Sequence, residues 1–117
     1  MKPAIGGSRG LHAENLDSCV PRTVTEVVSG GAAGVDSDAA EWAKARGIPL
    51  TELLPEYKRY GRVAPLKRNE EIAKYADEAL VFWDGVSKGT LYTINCFKKL
   101  GKTVHIVKVE RIIPKNC

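Results

Sequence analysis

The chain reads as an α/β domain on an open parallel sheet of about five strands in the order 3-2-1-4-5, with helices on both faces. Three observations predict this. Short, near-continuous apolar runs alternate with helical repeats, the pattern of strands covered on both faces. The run Ser29-Gly30-Gly31-Ala32-Ala33-Gly34-Val35-Asp36 is a glycine-rich turn between a strand-like segment and a helical one. Strand and helix take turns to the end of the chain, and right-handed crossovers then leave few possible orders.

Strands are predicted at residues 4–6, 26–29, 50–54, 79–83 and 103–109. Between the first two, residues 11–19 have room only for a short helix before Pro21. The next crossover is a helix over 36–46. Val35, Ala39, Trp42 and Ala43 fall at i, i+4, i+7 and i+8, and Gly47 ahead of Ile48-Pro49 stops it. A further helix is predicted from about Asn69, a good capping residue followed by Glu70 and Glu71, to about Ala76. The last helix spans about 90–100, with Leu91, Ile94 and Phe97 inward and Gly101 ending it.

The chain has 117 residues, 44% of them hydrophobic, enough for one domain with a real core and too few for two. No apolar run approaches the ~20 residues of a membrane span, and the N-terminal stretch lacks the layout of a signal peptide, so a cytoplasmic protein without membrane contact is expected. Cys19, Cys96 and Cys117 are widely spaced with no C-x-x-C pair, which argues against a disulfide framework and a zinc site. His12 and His105 have no partners at metal or triad spacing and read as structural. No metal and no cofactor are expected.

Eighteen basic against 14 acidic residues give a net charge of +4. Much of the excess lies in Lys58, Arg59, Arg62, Lys67 and Arg68, compatible with nucleic acid, a phosphorylated small molecule or solubility alone. The Tyr57-Lys58-Arg59-Tyr60-Gly61-Arg62 run interleaves aromatics with cations as a nucleic-acid groove does. The plainer reading, preferred here, is a solvated loop covering the site.

In open α/β sheets ligands bind beyond the carboxyl ends of the strands, near the point where strand order reverses. That rim should collect Gly7-Ser8-Arg9, the turn from Gly30 to Asp36, and the segment from Asp84 to Thr90. Glycine amides at a strand-to-helix junction, with a helix N-terminus behind them, suit an anion. The turn has neither the lysine of a phosphate loop nor the G-x-G-x-x-G spacing of dinucleotide sites, so it suggests an anion without naming it.

Read together, Gly7-Ser8-Arg9, the Val28-to-Asp36 segment, Ala64-Pro65-Leu66-Lys67-Arg68-Asn69, Tyr75-Ala76-Asp77, Phe82-Trp83-Asp84-Gly85 and Lys88-Gly89-Thr90 resemble the SLOG superfamily. That superfamily is named for the Smf/DprA DNA-processing proteins and the plant LOG enzymes, and the chain is most similar to its small bacterial branch of DUF2493 and YspA-like domains. The pieces occur in family order over roughly residues 4–109. The resemblance implies a Rossmann-like fold and a site for a nucleotide or nucleotide-derived ligand. It does not fix an activity, because related domains include phosphoribohydrolases, single-strand DNA binders and proposed sensors.

The LOG-type hydrolases carry Pro-Gly-Gly-x-Gly-Thr-x-x-Glu and an upstream arginine. Arg68 matches the arginine and Gly89-Thr90 the Gly-Thr, but Thr93 occupies the glutamate position and Trp83-Asp84-Gly85, with added residues, replaces the leading tripeptide. A threonine cannot supply the carboxylate that stabilises a ribosyl cation or activates water.

The candidate ligand contacts are therefore Gly7, Ser8, Arg9, Gly30, Gly31, Ala32, Gly34, Asp36, Arg68, Asn69, Trp83, Asp84, Gly89 and Thr90. Several have a purely structural reading. Asp36 at a helix start reads first as a cap, and Asn69 as another. Trp83 either stacks on a base or packs in the core, and Asp84 either binds ribose or forms the Asp-Gly turn. The leading expectation is binding or sensing of a nucleotide-like small molecule. The alternatives are an N-glycosidic hydrolase using Asp84 and Arg68, and a single-stranded DNA-binding module. A homodimer is a further expectation.

Overall fold

Five parallel strands form one sheet in the order β3-β2-β1-β4-β5 in the computed structural model, which describes residues 1–8, 10–31 and 34–109. The strands are β1 Pro3–Gly7, β2 Val27–Ser29, β3 Leu50–Glu52, β4 Glu78–Trp83 and β5 Val104–Lys108. The helices are α1 Leu16–Cys19, α2 Val35–Ala45, α3 Tyr57–Tyr60, α4 Ala64–Tyr75 and α5 Lys88–Lys99, with a 3-10 turn Gly61–Val63 joining α3 to α4. The α/β class and the strand order are those the sequence predicts.

Alternation along the central strands explains the two-sided core. β1 and β4 pair Ala4 with Ala79, Ile5 with Leu80, Gly6 with Val81 and Gly7 with Phe82, so successive side chains leave on opposite faces. On one face Ile5, Val27, Leu80 and Phe82 pack with Val35, Ala39 and Ala43 of α2 and with Leu11, Leu16 and Val20. On the other, Ala4, Val28, Ala79 and Val81 pack with Ile72 and Ala73 of α4, with Ala76 just beyond it, and with Ile94 and Phe97 of α5. The strands on this second face carry small residues, and that has a consequence for the site.

The stops of α2 and α5 work as their glycines predict. At the end of α2, Gly47 (φ +66°) donates to the Lys44 carbonyl at 3.2 Å and Ile48 to the Ala43 carbonyl at 2.9 Å. Gly101 (φ +72°) and Lys102 repeat the pattern onto Lys98 and Phe97, each at 3.0 Å, which satisfies carbonyls the helix leaves open. Lys102 also does something periodicity does not show. Its ammonium donates to the carbonyls of Ala73, Lys74 and Ala76 at 2.6, 3.0 and 2.7 Å, a cation at the negative end of α4.

Four local expectations are corrected. α4 begins at Ala64, not near Asn69, because Pro65 sits in its first turn, where a missing N–H costs nothing. Asn69 is therefore inside the helix. Asp36 does not occupy the cap of α2, since Gly34 does; Asp36 lies in the first turn, where its charge suits the positive helix end. In α5 the inward stripe is Thr90, Ile94 and Phe97, at i, i+4 and i+7, and Leu91 is 41% exposed. β3 stops at Glu52, leaving Leu54 beyond it, 60% exposed.

At the amino end of the sheet, away from the glycine turns, Glu26 ties three elements together. Its Oε2 accepts from Thr51 Oγ1 of β3 at 2.7 Å and from the Tyr75 hydroxyl of α4, while Lys2 Nζ stands 4.0 Å from the Tyr75 ring centroid. These hydrogen bonds, Tyr75 first, hold the Glu26 carboxyl below its ordinary value of 4.5.

Candidate functional site

Small residues along one face of the sheet, from Ala4 and Ala79 to the glycines at the carboxyl ends of the strands, line a cavity. On the α4/α5 face the floor is Ala4, Gly6, Val28, Ala79 and Val81, and the helices above it leave a cavity of about 640 Å³ that opens at the rim. The glycine turns of β1 and β2 and the first turns of α2 and α5 reach it together, through Gly7, Gly30, Gly31, Asp36, Gly89 and Thr90. Arg68 and Asn69 approach from α4. Segments from four separate crossovers thus share one wall.

Arg68 is the central cation. Its Nη1 donates to the Gly30 carbonyl at 2.7 Å and its Nε to Asn69 Oδ1 at 2.9 Å, and its Nη2 has no partner among the described residues. A Cβ on Gly30 would stand 2.6 Å from Nη1, so glycine there is what lets the guanidinium cross the turn. Asn69, expected as a cap, instead orients Arg68.

The turn after β2 holds its shape by local bonds. Gly31 (φ +71°) donates to Ser29 Oγ at 3.2 Å; an anion seated there competes for that amide. Gly34 (φ +82°) takes a left-handed conformation with its α-carbon against the Leu11 carbonyl, where a Cβ would come within 2.6 Å. Its need for glycine is therefore structural, and it is not on the cavity wall. Arg9 and Ala32, both expected contacts, lie outside the described residues.

Ser8 sits just behind the wall, 3% exposed. Its Oγ lies 3.0 Å from Thr90 Oγ1, which donates to Ser87 Oγ at 3.2 Å, and the Ser8 amide donates to the Phe82 carbonyl at 2.9 Å. This hydroxyl chain fastens the β1 turn to the N-terminus of α5. Thr90 and Ser87 reach the cavity from that chain.

Trp83 and Asp84 reach the rim but not the cavity wall. The Trp83 indole packs against the α4/α5 core and donates to the Ser87 carbonyl at 3.1 Å. Asp84 Oδ1 accepts the amides of Val86 and Ser87 at 3.0 and 2.8 Å, the bonding of an Asp turn, with Gly85 at φ +86° completing it. For both residues the structural reading is the one the geometry bears.

Other wall residues carry no periodic signal in the sequence: Leu54, Pro55, Tyr57, Leu66 and Thr93. Thr93 donates to the Gly89 carbonyl at 3.2 Å. The two helices flanking the cavity are clamped by Tyr92, whose hydroxyl donates to Glu70 Oε1 at 2.7 Å. That bond lowers the Glu70 carboxyl and, with burial, pushes the Tyr92 phenol from 10.0 up to about 12.

Among the described residues no cluster of three or more His, Cys, Asp or Glu side chains is arranged to hold a metal ion. No helix among them is long and apolar enough to cross a membrane. No family model, curated protein or solved structure matches the chain.

Proposed function

We propose that the cavity binds a nucleotide or nucleotide-derived phosphorylated ligand, and that the protein is a binding or sensing domain for it. The observation that carries this reading is the meeting of Arg68, the Gly30 turn and the first turn of α5 on one open cavity of about 640 Å³. A planar guanidinium beside a helix N-terminus is an anion site with donors on two sides. Phosphate binds between Arg68 and the turns. Asp36, the carboxylate on the same wall, accepts hydrogen bonds from sugar hydroxyls, the task acidic groups perform at other strand-end sites.

The hydrolase alternative needs Asp84 to act as the missing glutamate, yet Asp84 is engaged with the amides of its own turn and Thr93 offers no carboxylate. Binding without turnover is the better-supported reading. A thermal-shift panel of nucleoside phosphates, cyclic dinucleotides and ADP-ribose-type molecules tests it. A ligand-dependent rise in melting temperature is expected, and no shift across the panel at millimolar concentration contradicts it.

A further inference from the structure

We infer that Tyr57 stacks on a flat heterocyclic base of the ligand, so that the cavity selects a nucleotide rather than a sugar phosphate; this rests on the binding reading above. Tyr57 and Leu54 are each 60% exposed and Leu66 is 38% exposed, yet all three line the cavity, with Pro55 between them. Scattered surface apolar residues are ordinary, whereas several gathered at the margin of one concave site mark surface that a ligand covers.

The segment carrying Tyr57 is also short of anchors. Neither α3 nor the 3-10 turn after it contains a buried residue, although the stretch holds Tyr57, Tyr60 and Val63. It leans on the start of α4 and gains packing when a ring fills the space beside it. The polar end of the ligand is fixed by Arg68 and the glycine turns, which leaves the apolar margin for the other end. Trp83, for which stacking on a base and core packing were both open, packs against the core and donates to the Ser87 carbonyl. Tyr57 is the aromatic side chain on the wall with an exposed face. A phenol ring offers a π-surface that any base can stack on.

The test is calorimetric titration of the full chain, wild type and the variants Tyr57→Ala and Tyr57→Phe, with the four ribonucleoside 5′-monophosphates and with ribose 5-phosphate. In Tyr57→Ala the tightest-binding nucleotide should weaken about tenfold, in Tyr57→Phe by no more than about twofold, and ribose 5-phosphate should bind all three proteins alike. Equal weakening of nucleotide and ribose 5-phosphate in Tyr57→Ala overturns the inference, as does unchanged nucleotide binding. Wild-type protein that holds ribose 5-phosphate as tightly as every nucleotide overturns it while leaving the phosphate site standing. Wild-type protein that binds none of these probes overturns the inference, whereas the binding reading falls only if the whole thermal-shift panel above also gives no shift. Since Tyr57 is exposed, unchanged thermal melting of the ligand-free variants is the accompanying control.

Discussion

Arg68 Nη1 donates to the Gly30 carbonyl oxygen at 2.7 Å, joining α4 to the turn that follows β2 across 38 positions of sequence. A hydrogen bond from a charged donor to a half-buried carbonyl is worth about 1.5 kcal/mol or more. Arg68→Ala should therefore lower stability by roughly that amount and also remove anion binding. Arg68→Lys keeps the charge but cannot hold Asn69 and Gly30 with separate nitrogens. It should melt only slightly below wild type and still lose most ligand affinity; full affinity in Arg68→Lys would show that charge alone suffices.

Two glycines on the rim should fail differently. A Cβ at Gly7 would stand 2.6 Å from the Phe82 carbonyl oxygen and 2.7 Å from Val35 Cγ2, in a central strand with backbone on one side that cannot swing away. Gly7→Ala should cost about 3 kcal/mol. At Gly30 the nearest atom is the end of a long side chain, Arg68 Nη1, so Gly30→Ala should displace the guanidinium, cost less stability and abolish ligand binding. Urea unfolding of the two variants checks the order, and equal destabilisation contradicts it.

Asp84 separates a turn from a binding group. Asp84→Asn preserves an Oδ1 acceptor for the Val86 and Ser87 amides, so ligand affinity should stay within about twofold of wild type, while Asp84→Ala should lose about 1–2 kcal/mol of stability. A tenfold affinity loss in Asp84→Asn would show that its charge meets the ligand.

The Glu26 cluster predicts an acid-sensitive contribution. The folded state lowers the Glu26 carboxyl, mainly through Tyr75 and then Thr51. A lowered carboxyl contributes stability above its ordinary value of 4.5, lost as pH falls through the folded value. Tyr75→Phe removes the largest cause and should destabilise by about 1 kcal/mol at about pH 7, with the difference from wild type shrinking toward about pH 3. A difference constant over that range contradicts the linkage.

The sheet was legible because its signals are local and repeated. Val35, Ala39 and Ala43 mark one stripe of α2, Gly47 and Gly101 stop two helices, and near-continuous apolar runs such as Ala79–Trp83 point to strands covered on both faces. The start of α4 was not, since Pro65 reads equally as a loop residue or a first-turn residue. At the site, the rim position of Gly7, Gly30, Gly89 and Thr90 followed from strand order. Side-chain direction did not: Trp83 packs against the core and Asp84 accepts the amides of its own turn. Arg68 was read as seeking an anion, and its bond to a backbone carbonyl is a long-range contact that composition does not encode. Leu54 reads as the end of a strand over 50–54 and the Tyr57 run as a loop covering the site, and nothing in the sequence says which of their side chains face the cavity.

Amide chemical-shift mapping during titration with a ribonucleoside 5′-monophosphate tests the placement of the site most directly. Progressive, saturable shifts at Gly7, Gly30, Gly31 and Gly89, with the Arg68 side-chain resonance moving alongside them, are the expected result. Saturable shifts gathered instead around Lys2, Thr25 and Asp77 at the opposite end of the sheet, or none at all, would contradict it.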